Sequence, residues 1–220
     1  MIEELRYTLR SDGSSDKALI PILTWLLREH KVECAIQSTW ADLRRLRKPH
    51  KTLSEQIKWS LELYPCDLLF IHRDAEKEGL EKRIAEITEA VEEVSEDLSN
   101  IPPKICVIPV RMQEAWLLIN EEAIRQAVGN PNGKQKIQLP QIDEIEKLVR
   151  PKDELFDLLR EASGRKGRRL QQLDVRLCAN RVTEFIDDFS PLRSLPAFQI
   201  LDNDIERIVK EQSWVTSNLP

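Results

Sequence analysis

Four acids carry the strongest chemical signal in this chain: Asp12, Asp16, Asp74 and Glu76. Asp12 and Asp16 lie in Ser11-Asp12-Gly13-Ser14-Ser15-Asp16, directly after a strand-like stretch, and Asp74 and Glu76 close an apolar run in Arg73-Asp74-Ala75-Glu76. Carboxylates gathered in one place repel one another unless a cation neutralises them, and an all-oxygen set suits Mg²⁺ or Mn²⁺ rather than zinc. Such an ion polarises a phosphate and stabilises a leaving oxygen, so the expected chemistry is phosphoryl transfer. Each acid alone also has a plainer use, since Asp12 could cap the first helix and Asp74 the helix that follows it.

The surrounding elements decide whether these acids can meet. Residues 5–10 alternate as a strand, turn residues follow, and Leu19, Leu23, Leu26 and Leu27 recur at helical spacing, with Pro21 tolerated in the first turns. Residues 32–39 form a second strand candidate and 53–64 a helix, while 66–72 is a nearly continuous apolar run, the pattern of a strand covered on both faces. A long amphipathic helix is expected over 78–98, a fourth strand over 105–110, and a further helix opening at 112–116. Strands alternating with helices predict an α/β fold with a mostly parallel sheet of about four strands, whose strand ends share one edge. Asp12 then follows the first strand and Asp74 and Glu76 the third, so one crevice can hold all three. Past the Gly129-Asn130-Pro131-Asn132-Gly133 connection the pattern turns helical, which divides the chain into an α/β domain over 1–129 and a helical extension over 130–220 packed on it.

A strand followed by Asp12-Gly13-Ser14-Ser15-Asp16, then a strand followed by Asp74-Ala75-Glu76, resembles the Toprim (topoisomerase-primase) fold of topoisomerases, primases and overcoming-lysogenization-defect nucleases. The segment Val110-Arg111-Met112-Gln113-Glu114-Ala115-Trp116-Leu117-Leu118 is similar to the Glu-Ala-Trp-Leu-Leu stretch of small stand-alone bacterial Toprim-like proteins, some encoded beside an ATPase in antiphage systems. The resemblance implies a Mg²⁺-dependent nuclease acting on DNA or RNA with an ATPase partner. Asp12 would stand for the family's strand-end Glu, Asp74 and Glu76 for its Asp-x-Asp pair, and Glu114 for the acid before Ala-Trp. Asp12 is one methylene shorter than the family's residue and Glu76 one longer, which leaves open a non-catalytic Toprim-like module that binds a partner.

Other residues extend the site. Arg73 could hold phosphate in a bidentate geometry, and His72 could either meet a phosphate or close the apolar run as a packing residue. Glu114 could serve the site or interact with a helix dipole. Arg165, Lys166, Arg168 and Arg169, flanked by Gly164 and Gly167, have the composition of a loop that contacts nucleic-acid phosphates, as does the basic segment 44–51, and Trp40 beside it could stack on a base or simply pack. With 33 basic against 38 acidic residues the net charge of -5 gives no global attraction to nucleic acid, so any contact must be local. An acidic N-terminus and the absence of a long apolar run predict a cytoplasmic protein with no membrane contact. Cys34, Cys66, Cys106 and Cys178 lack metal or disulfide spacing and read as buried free thiols. Walker, dinucleotide-binding and Gly-x-Ser-x-Gly motifs are missing, which argues against an NTPase, a nicotinamide enzyme or a serine hydrolase.

Overall fold

The computed structural model describes residues 2–46 and 51–214; the expected basic segment therefore lies partly outside the described residues, at 47–50. Four strands, β1 (Glu4–Arg10), β2 (Ala35–Trp40), β3 (Leu68–His72) and β4 (Lys104–Val107), form one parallel sheet in the order β2-β1-β3-β4. This is the α/β architecture that the alternating pattern predicts. The fourth strand is shorter than expected because Pro109 has no N–H to give to a ladder.

Helices α1 (Leu19–Glu29), α2 (Leu53–Leu63) and α3 (Leu80–Asp97) make the crossovers. The chain leaves β1 towards β2 on one side and β3 towards β4 on the other, so right-handed crossovers set α1 on one face and α2 with α3 on the opposite face. The side-chain pleat follows: Leu68 and Phe70 of β3 join the core under α1, whereas Leu69 and Ile71 join Ile57, Ile87, Val91 and Val94 under α2 and α3. Every residue of β3 is buried, which explains its unbroken apolar run.

The remaining helices are α4 (Glu121–Ala127), α5 (Pro151–Ala162), α6 (Gly167–Gln171), α7 (Val175–Arg181) and α8 (Pro196–Glu211). They cover the α1 face, and a single apolar core runs from Leu5 to Trp214 through both halves of the chain. Trp116 meets Phe198 of α8 edge to face at 5.2 Å, and Trp25 of α1 meets Phe189 at 5.8 Å. The helix expected to open at 112–116 is instead a 3-10 turn, Gln113–Leu117, because Asn120 starts α4 afresh by accepting the Ala123 N–H at 2.9 Å. The four cysteines are free, but only Cys178 is buried; Cys34, Cys66 and Cys106 are partly exposed. Among the described residues no helix is long and apolar enough to cross a membrane.

Candidate metal and phosphate site

The order of strands reverses between β1 and β3, where Arg10 lies in register with Ile71. Ligands in open parallel sheets bind outside the strand ends at such a switch point. Here a cavity of about 320 Å³ is lined by Asp12, Asp16, Arg73, Asp74, Glu76 and Arg83, with His72 beneath them. The sheet thus brings together the four acids and Arg73 singled out by their spacing.

Each acid is held differently. Asp16 is buried and accepts hydrogen bonds from Gly13 N (2.8 Å), Ser15 Oγ (3.1 Å) and Gln113 Nε2 (2.8 Å), so it, rather than Asp12, secures the turn after β1. Asp12 instead receives Arg10 Nη2 at 2.8 Å and Arg73 Nε at 3.3 Å. Burial works to raise its pKa, but the charges of Arg10 and Arg73 outweigh that and hold Asp12 below the usual carboxylate range. Asp74 does not cap α3, which begins behind Gly79; its Oδ1 accepts the Gln113 N–H at 2.9 Å, tying β3 to the segment after β4.

Asp74 is the electrostatically strained member. Burial, reinforced by the charges of Glu114 and Asp16 against the opposing pull of His72 and the Gln113 N–H, pushes it up to about 6. His72, only 2% exposed, donates Nδ1–H to the Val107 carbonyl at 2.9 Å. That leaves Nε2 facing Asp74 Oδ1 at 3.5 Å and Asp16 Oδ2 at 4.0 Å. The ring is thus fixed through Nδ1 and turned with Nε2 towards two carboxylates, so it does more than fill the core beneath them. Spacing alone did not separate these uses of His72, because the difference rests on which way the ring points.

Glu76 stands in the left-handed region at φ 49, pinned by its N–H to Arg111 O at 2.8 Å, and its exposed carboxylate lies 3.4 Å from Arg83 Nη2. A non-glycine residue kept there costs on the order of 1 kcal/mol, a pattern that gathers at functional sites. Glu76→Gly is therefore expected to leave the fold unchanged or about 1 kcal/mol more stable in urea melts, while divalent-ion affinity falls. Loss of stability instead would show that the side chain is structural.

Two basic residues that the spacing did not single out, Arg10 and Arg83, stand at the cleft, and a third, Lys152, stands on the neighbouring cavity. Arg10 is 2% exposed beneath Asp12; Arg83 donates Nε–H to the Asp74 carbonyl at 3.0 Å and Nη1–H to Glu86 Oε2 at 2.8 Å; Lys152 pairs with Glu114 at 2.9 Å. Glu114 consequently lies outside the cleft, on a neighbouring cavity, although its charge reaches Asp74. Arg165, Lys166, Arg168 and Arg169 are exposed at the start of α6 and do not line the cleft. Trp40 is nearly buried, its Nε1 donates to Ser11 Oγ at 2.8 Å, and Lys17 and Arg44 sit over its ring, so it packs rather than offering a stacking face.

A hard divalent cation needs several oxygen ligands converging on one point. Among the described residues no three His, Cys, Asp or Glu side chains stand close enough to enclose an ion. Two other features favour one: Asp74 keeps a carboxyl that neighbouring acids crowd, and Glu114 Oε2 and Gln113 Oε1 beside it are buried acceptors without a hydrogen-bond partner. The crowding of acids around Asp74 is what a divalent ion would neutralise, whereas Asp12 and Glu76 are turned to arginines. Searches of protein-family models, curated proteins and solved structures find nothing that matches this chain.

Proposed function

We propose that this chain is a Mg²⁺- or Mn²⁺-dependent nuclease that hydrolyses phosphodiester bonds in DNA or RNA. The observation that carries the proposal is the cleft at the switch point, where four carboxylates and two guanidinium groups share one opening around a crowded Asp74. Asp74, with Asp16, Asp12 and Glu76, would hold the ion. When bound, the ion supplies a Lewis acid that polarises the phosphate and activates water. Arg73, whose guanidinium already faces an anion, would steady the non-bridging oxygens. Asp74 would hold the ion as a carboxylate, and His72 Nε2, 3.5 Å from its Oδ1, would orient it. The exposed 165–169 cluster supplies local phosphate contacts on an otherwise acidic molecule.

The resemblance to Toprim proteins supports the same reading and adds the setting: a cytoplasmic effector of antiphage defence that works with an ATPase. A second reading draws on a specific observation, the arginines already seated on Asp12 and Glu76. They suit a non-catalytic module that binds its partner without turnover.

Plasmid DNA and RNA incubated with Mg²⁺ or Mn²⁺ test the first reading. Cleavage is expected, and Asp74→Ala and Glu76→Ala should each reduce it by about a hundredfold or more. Activity that survives both substitutions would refute the assignment. Titration calorimetry showing no Mg²⁺ or Mn²⁺ binding at millimolar concentration would favour the module.

A further inference from the structure

Beside the metal cleft lies a second cavity, of about 390 Å³, within the size range of small-molecule sites. The turn Ser14–Ala18 forms one wall, α5 another and α7 the third. Its apolar surface comes from Leu117, Ala18, Ala179 and the Phe156 ring. Around that surface the Arg176 guanidinium, the Asn180 amide and the Ser14 hydroxyl converge, and none of them has a side-chain partner among the described residues. Lys152 adds a second cation, with its ammonium 2.9 Å from Glu114 and 5.9 Å from the Phe156 centroid.

We propose that this cavity binds one nucleotide unit of the strand whose neighbouring phosphodiester occupies the metal cleft. The Arg176 guanidinium, free of a side-chain partner among the described residues, matches a phosphate, with Lys152 held on Glu114 at the same cavity; an aromatic and aliphatic wall matches a base face, and the free Asn180 amide offers both donor and acceptor to a base edge. Continuity with the cleft is direct. Ser14 and Ser15 face this cavity while Gly13 and Asp16, on the same turn, face the other, and Gln113 joins the two by lining this one and donating to Asp16 at 2.8 Å. The basic cluster borders the same helix: the Arg165 charge opposes the rise that burial causes in the Cys178 thiol of α7. A strand could thus run from the cluster along α7 into the cavity. The choice of ligand rests on the phosphodiester reading of the neighbouring cleft.

Binding of deoxyadenosine monophosphate to the full chain, measured by calorimetry in EDTA, tests the site without requiring metal or turnover. Saturable binding is expected, weakened about tenfold by Arg176→Ala and about fivefold by Phe156→Leu. Arg176 is exposed, so its variant should fold even if the Phe156 variant does not. Three outcomes overturn the proposal: no binding at millimolar nucleotide, affinity unchanged by Arg176→Ala, or inorganic phosphate bound as tightly as the nucleotide. Nucleotide binding without any metal-dependent cleavage would overturn the nuclease reading and leave this site standing. Cleavage without nucleotide binding would do the reverse.

Discussion

Asp74→Asn is expected to abolish divalent-ion-dependent cleavage and, in EDTA near neutral pH, to make the protein more stable. The sign follows from the direction of the shift. Burial and the acids around it raise the Asp74 pKa from 3.8 to about 6, so the unfolded chain ionises more readily than the folded one. Its contribution to stability is fully present below the unfolded value and is lost as pH rises through the folded one. A shift of this size corresponds to about 3 kcal/mol at most, and the partial exposure of the side chain reduces it to about 1–2 kcal/mol. Asparagine keeps an acceptor for the Gln113 N–H but carries no charge to bury. Urea midpoints should therefore favour the variant at about pH 7 and converge with the native protein at about pH 4. Added Mg²⁺ should stabilise only the native protein, through binding to the folded state. A variant that is less stable at neutral pH would show that Asp74 is a structural acid.

Trp116→Ala is expected to cost about 3–5 kcal/mol, the range for emptying a fully buried aromatic site. Trp116 is completely buried, sits in the segment after β4, and meets Phe198 edge to face. It therefore links the sheet to α8. Its indole N–H has no partner in the interior, so Trp116→Phe should cost much less. The same core predicts that a fragment ending at residue 129 does not fold cooperatively. Without α5, α7 and α8, the apolar α1 face of the sheet would be open to water. Equilibrium denaturation of both variants and of the fragment checks these outcomes, and a cooperative transition in the fragment would contradict the single shared core.

The unbroken run of β3 and the leucine spacing of α1 were legible in the sequence because each pattern reports a burial that repeats along one element. The convergence of Asp12, Asp16, Asp74 and Glu76 was legible as well, through the rule that parallel strands end on a common edge. What escaped the sequence depends on side-chain direction and on contacts between distant segments. Nothing local shows that Arg10 turns inward under Asp12, that His72 points Nε2 at Asp74, or that Glu114 pairs with Lys152 of α5. The arginines seated on Asp12 and Glu76 belong to the same class, and they separate the acids that the cleft leaves crowded from those it neutralises. Helix boundaries failed for a simpler reason: Asn120 is a better cap than the residues before it, and its capping divides the expected helix.

Diffraction from crystals soaked in millimolar Mn²⁺, collected at a wavelength that reveals manganese, tests the central claim most directly. One anomalous peak is predicted in the cleft between the ends of β1 and β3, bonded to the Asp74 carboxylate and absent from Asp74→Asn crystals. A cleft without a peak, or with Asp12 and Glu76 still on their arginines and manganese bound elsewhere, would contradict it.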